Sequence, residues 1–416
     1  MSRLPFLARM SHHRFAWQNP YPTVRIPLFA RNVVSTSHPL AAQAGLRMLL
    51  AGGSAVDAAI AAAAMLTIVE PVSCGLGSDA FAILWDGARL YGLNASGAAP
   101  RDWSLGYFRR KYGEDAHGHP RRPTRGWDTV TVPGAVSAWA TLHERFGKLP
   151  FADVLEPAAA IAERGHAVAP IVAHKWAAAI PELHGQPGYA QAFMPHGRAP
   201  GVGEKFLLRD AAATLRRIGE TRGRDFYEGE LAERIAAHAH ACGGALTAQD
   251  LRDHRPEWVT PIQQRYRGYD VHELPPNGQG IAALAALGIL ERFDLGALPV
   301  DSADTLHLQI EAMKLAFADL YRYVADPRAM DVTPEQMLDD SYLDARARRI
   351  DMGRAGHPGF GMPRAGGTVY LSAADERGMM VSFIQSNYMG FGSGVVVPGT
   401  GERFQPLGTI NSLNNY

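Results

Sequence analysis

From about residue 31 onward, short period-two runs alternate with longer stretches in which apolar residues recur every three or four positions. Late in the chain, RAGGTVYLSAADERGMMVSFIQSN (364–387) holds two period-two runs. Thr368, Tyr370 and Ser372 fall on one side of the first run, and Val369, Leu371 and Ala373 on the other. Met379 to Gln385 forms the return run, with turn chemistry in Asp375-Glu376-Arg377-Gly378 between them. The same pattern predicts strands at Asn32–Thr36, Ala80–Trp85, Ala88–Leu93 and Tyr266–Leu274. Helical periodicity predicts a helix capped by Ser37 or His38 and running to about Leu50. It predicts others over Ala55–Ile68, Ala135–Phe146, Phe151–Arg164, Ala211–Ile218, Leu231–Ala241, Ile281–Phe293 and Ser302–Val324. Gly52-Gly53 ends the first helix, and Pro275 to Gly280 reads as a turn. Residues 1–30, with Pro5, Pro20, Pro22 and Pro27, read as irregular, and 355–367 as an exposed, mobile segment. Strands at both ends of a helical middle predict a layered α+β fold rather than a βαβ alternation.

Composition narrows the class. A chain of 416 residues allows one large domain or two ordinary ones, and buries a core without a metal or disulfide staple. Basic and acidic residues balance at 41 each, which gives no electrostatic case for nucleic acid or an anionic membrane. Cys74 and Cys242 make no framework and no C-x-x-C pair, which fits a reducing compartment. The N-terminal stretch has no signal-peptide pattern, and the most apolar run, Ala58 to Val69, is short for a bilayer span. A soluble, cytoplasmic protein is the expectation.

Most candidate chemistry falls away. Gly52-Gly53-Ser54 and the Gly75 to Asp79 loop lack both the P-loop lysine and a G-x-G-x-x-G between strand and helix, so no nucleotide cofactor is expected. The 16 histidines form no H-E-x-x-H or Cys/His cluster, so no metal is expected. No G-x-S-x-G elbow supports a serine triad. Thr368 remains. A strand threonine is ordinarily a β-branched strand former. At a chain terminus, however, threonine carries its own base: an α-amine of pKa ~7.7–8.0 that accepts the hydroxyl proton. That requires cleavage after Gly367. Gly366 and Gly367 permit the strained backbone in which Thr368 Oγ1 attacks the preceding carbonyl.

Longer motifs carry a resemblance. They are SHPLAAQAGLRMLLAGGSAVDAAIAAAAMLTIVEP (37–71), GLGSDAFAILWDG (75–87), TVPGAVSAWATLHERFGKLPF (131–151), YRGYDVHELPPNGQG (266–280), GGTVYLSAAD (366–375) and FGSGVVVPGTG (391–401). Together they resemble the γ-glutamyltranspeptidase family of N-terminal-nucleophile hydrolases, from about Val33 to Gly401. The resemblance implies a four-layer αββα sandwich and a precursor cut before Thr368. The resulting large segment, 31–367 after the irregular 1–30, and small segment, 368–416, stay associated. It implies an acyl-threonine intermediate, a small amide or γ-glutamyl substrate and no cofactor. It leaves homo-oligomerisation open. It places Ser386 beside the new amine and Asn387 and Tyr388 near the pocket. Where the family carries a carboxylate-binding arginine, this chain has Ser96, with Asn94 nearby. Those two donate hydrogen bonds without charge, as in the transpeptidase-like amidohydrolases. Arg101 and Arg125 are the candidate replacements. Past Gly401 the family pattern stops, so a truncated chain with little activity, at most a binding protein, is the alternative expectation.

Overall fold

A computed structural model describes residues 29–358 and 368–403. The chain divides into a short unit, Met1–Arg31, and a large one, Asn32–Tyr416, and the large unit carries all that follows. Eight strands matter to the site: β1 (Val33–Thr36), β2 (Asp79–Trp85), β3 (Leu90–Ala95), β4 (Glu257–Val259), β5 (Ile262–Tyr266), β6 (Tyr269–Glu273), β7 (Thr368–Ala374) and β8 (Met380–Ser386). Six of them form one antiparallel sheet in the order β1-β7-β8-β2-β3-β4. The predicted β7–β8 hairpin thus lies in the middle of the sheet, between elements from the first quarter of the chain.

The sheet's two faces follow from its alternation. Ala80, Ala82, Leu84, Leu371, Ala373, Val381 and Phe383 are buried on one face. They pack beneath α1 (Pro39–Leu50), α2 (Ala55–Val69) and α3 (Ala135–Phe146), with α4 (Phe151–Arg164) behind α2. Every residue of α2 is buried. Its alanines let the neighbouring backbone come close: a Cβ on Gly45 of α1 would stand 2.8 Å from the Ala58 carbonyl oxygen. The start of α2 is fixed by carboxylates, which favour a helix N-terminus. Ser54 and Asp57 form a capping box. Asp57 Oδ2 also accepts from the Lys148 N–H at 3.0 Å, and Asp375 Oδ2 from the Ala55 N–H at 3.1 Å. The second of these bonds ties the turn of the β7–β8 hairpin to the core helix.

A second apolar cluster joins α5 (Gly280–Leu290) to α6 (Ala303–Tyr323). The predicted strand Tyr266–Leu274 is β6, starting at Tyr269, and it pairs with β5, which the pattern did not predict. Arg267 and Gly268, at the start of the predicted run, both take positive φ (51° and 86°), the geometry of the tight reversal between the two strands. The helices predicted at 211–218 and 231–241 run Arg209–Thr221 and Glu230–Ala241. Most of the segment expected to be mobile, with Gly366 and Gly367, lies outside the described residues.

Candidate active site at the head of the central strands

Thr368 opens β7, and its Cα pairs with that of Ser386 on β8. Ser386 pairs on its other side with Asp79, the first residue of β2. Positions 368, 386 and 79 therefore make one row across three adjacent strands. Because Ala80 pairs with Ala95, Ser96 just past β3 falls level with the same row. Ser386 and Asp79 are both buried, at 8% and 7% exposure. Residues paired across antiparallel strands share a face, so both look away from α2.

The chain beyond Ser386 turns sharply. Ser386 Oγ accepts from the Tyr388 N–H at 2.8 Å, and Tyr388 is held at φ 63°. Tyr388 is half-buried, with Tyr321 of α6 beside it, and burial raises the Tyr321 phenol above its ordinary range. Asn387 is fully buried and turned into the protein. Its N–H donates to Ser73 O at 3.0 Å and its Oδ1 accepts from Ser78 Oγ at 2.8 Å. Ser78 Oγ also accepts from the Gly75 N–H at 2.9 Å, and its carbonyl takes the N–H groups of Gly134 and Ala135. Asn387 thus anchors the Gly75 to Asp79 loop to the end of β8 and the start of α3, rather than presenting its amide to the open face.

Asn94 and Ser96 come together with a residue the sequence reading took only as part of a turn. Asn94 Nδ2 donates to Asn277 Oδ1 at 2.9 Å, and Asn277 Nδ2 donates to Ser96 Oγ at 3.1 Å. The Ser96 N–H donates back to Asn94 Oδ1 at 3.0 Å. All three side chains are half-buried. Two glycines seat this cluster. A Cβ on Gly97 would lie 1.7 Å from the Val132 carbonyl oxygen, and one on Gly134 equally close to that of Ala95. Gly97 also sits at φ 76°. Only bare backbone lets the two segments close here.

Neither candidate arginine supplies the missing charge. Arg101 is largely exposed and its Nη2 donates to Asp253. Arg125 is committed elsewhere: Nε and Nη2 each donate to Glu182 at 2.8 Å, and Nη1 donates to the carbonyls of Gly390 and Gly392. The turn after β8 presents those carbonyls inward, and a guanidinium matches them and the carboxylate together. Arg125 is therefore a clamp on the 388–394 turn. Asn277, Asp79 and Arg125 are the residues that sequence reasoning missed or misread. The sole sequence signal for Asn277 was the PPNGQG turn itself.

The described residues contain no group of three or more His, Cys, Asp and Glu placed to hold a metal ion. The row offers a buried hydroxyl and a buried carboxylate aligned with the backbone nitrogen of position 368. That set is suited to holding an amine.

Comparison with known proteins gives the family. A profile of the γ-glutamyltranspeptidase family matches residues 41–406. The chain is 36% identical over 389 residues to a glutathione hydrolase-like proenzyme of Bacillus subtilis, covering 92% of this chain and 72% of the relative. It is 37% identical over 385 residues to an oxamate amidohydrolase proenzyme of Klebsiella pneumoniae, covering 91% and 71%. A cephalosporin acylase from Bacillus halodurans superposes with a TM-score of 0.85 at 46% identity, over 96% of this chain and 75% of that one. The fold is accordingly the α+β sandwich of N-terminal-nucleophile hydrolases, and the described sheet and the helices on it are one α layer and one β layer of it. The chain belongs to the γ-glutamyltranspeptidase family.

Proposed function

We propose that the chain is a proenzyme that cuts itself before Thr368 and then hydrolyses a small amide, or transfers its acyl group, through an acyl-threonine. The observation that carries this reading is the register: Thr368 heads a central strand directly opposite Ser386, in a chain whose relatives are proenzymes. In maturation, Thr368 Oγ1 attacks the Gly367 carbonyl. The acyl group moves from nitrogen to oxygen, and water cleaves the ester, freeing the carboxylate of 367 and the amine of 368. In turnover, Oγ1 attacks the substrate carbonyl while the amine takes its proton. The C–N bond then breaks, and the amine delivers that proton to the departing nitrogen. Water or an acceptor amine resolves the ester. Ser386 holds the Thr368 amine in line throughout.

The acyl pocket reads as neutral. Asn94, Ser96 and Asn277 supply amide and hydroxyl groups, and Arg101 and Arg125 are paired elsewhere. This favours an acyl chain ending in an uncharged hydrogen-bonding group over one ending in an α-amino acid carboxylate, which a guanidinium fork would hold. A reducing, cytoplasmic setting and a cofactor-free mechanism complete the reading.

Intact-mass spectrometry of the purified protein after a day at neutral pH tests it. Fragments matching 1–367 and 368–416 are expected, and none from Thr368→Ala. A single uncleaved mass for both would leave an inert scaffold as the better reading.

A further inference from the structure

We infer that Asp79 is a positioning residue for the catalytic base: its carboxylate holds the proton on the Thr368 α-amine and sets the pH range of the reaction. The inference rests on the N-terminal-threonine reading above.

The geometry is that of the sheet. Asp79 and Thr368 occupy the same register row, with Ser386 alone between them. Strands lie about 4.8 Å apart, so positions 79 and 368 are roughly 10 Å apart. Nothing bulky separates them, since Ser386 has one of the shortest polar side chains. Asp79 is buried, and salt screens a buried charge less than an exposed one. The amine is a main-chain group, so its place is given by the ladder.

An α-amine ordinarily titrates at ~7.7–8.0. A carboxylate roughly 10 Å away, at an effective dielectric of about 20, favours the ammonium by about one pH unit. The same attraction steadies the ammonium that forms when the amine accepts the Oγ1 proton. Asp79 therefore stabilises the proton-bearing state at the cost of needing a more alkaline solution to free the base.

The other titratable groups around the row do not imitate this effect. Tyr370 of β7 and Tyr388 past β8 are not carboxylates, and burial raises the Tyr321 phenol of α6 above its ordinary range. Phe81, Ile83 and Trp85 of β2, Asn94 of β3 with Ser96 just past it, and Ser35 of β1 carry no charge. Glu257 of β4 stands opposite Asn94 at the far edge. Glu273, just ahead of the Asn277 turn, has its carboxyl pushed up by burial. Glu70, at the end of α2, accepts from Ser37 and Ser73 at 2.6 and 2.9 Å. Arg125 and Glu182 offset each other.

The test is the pH profile of kcat/KM for hydrolysis of a chromogenic acyl anilide by the self-cleaved protein, in wild type, Asp79→Asn and Asp79→Glu. The wild-type acidic limb is expected near pH 9. Asp79→Asn should bring it down by about one unit, and Asp79→Glu should largely restore it. A purely structural role would lower activity without moving the limb. A wild-type limb at 7.7–8.0 would overturn the inference even if the variants fail to fold, and so would an unmoved limb in Asp79→Asn. A wild-type chain that never cleaves would remove the amine, and with it both this inference and the function proposed above.

Discussion

Thr368 and Ser386 face each other across one register step, and their substitutions separate chemistry from support. Thr368→Ala is expected to abolish both cleavage and turnover while leaving the melting temperature within a few degrees, as read by intact mass and thermal unfolding. Ser386→Ala should still cleave slowly but lose about 10²-fold in kcat, the scale of a lost general-base partner. KM should change little, because in the proposed mechanism Ser386 meets the amine rather than the substrate. Ser96→Arg tests the neutral pocket. It places a cation among Asn94 and Asn277, and should lower KM at least about tenfold for a γ-glutamyl anilide relative to an uncharged acyl anilide. An unchanged ratio would mean that the cluster does not meet the substrate. Little of this was legible beforehand. Thr368 stood out because two glycines precede a strand-forming hydroxyl. Asn277 did not, because a Pro-Pro-Asn-Gly turn looks the same whether or not a binding cluster lies opposite it.

Among the elements, α2 carries the greatest mechanical load. Its 15 residues are all buried, and its N-terminus receives hydrogen-bonding groups from three separate parts of the chain. Ser54→Ala removes one side of the capping box and should cost about 1 kcal/mol. Asp57→Ala should cost more, on the order of 2–3 kcal/mol, because the N–H groups of Ser54 and Lys148 lose their buried acceptor. Urea denaturation would measure both; equal losses would contradict the special place of Asp57. Gly134→Ala strikes the element boundary that seats Ser96. With the Ala95 carbonyl oxygen 1.7 Å from the new Cβ, the β3 end must move, and the protein should fail to accumulate in soluble form. The existence of these elements was readable from periodicity. The β5–β6 reversal was not, since Arg267 is an uncommon residue for positive φ and no hydrophobic break marks the turn.

For the molecule as a whole, acid sensitivity follows from buried histidines. His166 is 6% exposed, and burial, with the nearby His38, holds its pKa down to about 4. Its ordinary value is about 6.5, so between pH 6.5 and 4 the unfolded chain binds a proton that the folded one refuses. Stability is therefore full above pH 6.5 and falls as the pH drops through that window. His254, bonded to Ser137 Oγ at 2.8 Å, is depressed to about 4 by burial and then by Arg255, and adds in the same direction. The contribution of His166 is about 2 kcal/mol between pH 7 and 5. Urea midpoints at the two pH values should show it, and His166→Phe should remove about half of the combined difference, leaving the part due to His254; a slope untouched by that change would exclude His166 as a cause.

Taken alone, the sequence determined what neighbours along a chain can determine. It set the period of each element, the turn at Asp375 to Gly378, the alanine helix made for close packing, and a threonine heading a strand. Its motifs were also enough to mark the family, because they are many and keep their order. Only the tertiary structure decided which strands meet. β1 pairs with β7 although Thr36 and Tyr370 are 334 residues apart. Asp79 enters the row of Thr368, Asn277 reaches Ser96, and Arg125 closes on the 388–394 turn instead of the pocket. The physical reason is the same in each case. Periodicity records the contacts a residue makes with the residues beside it in the chain. Register and strand order depend on hydrogen bonds and packing between distant segments, and these become definite only when the sheet closes against α2.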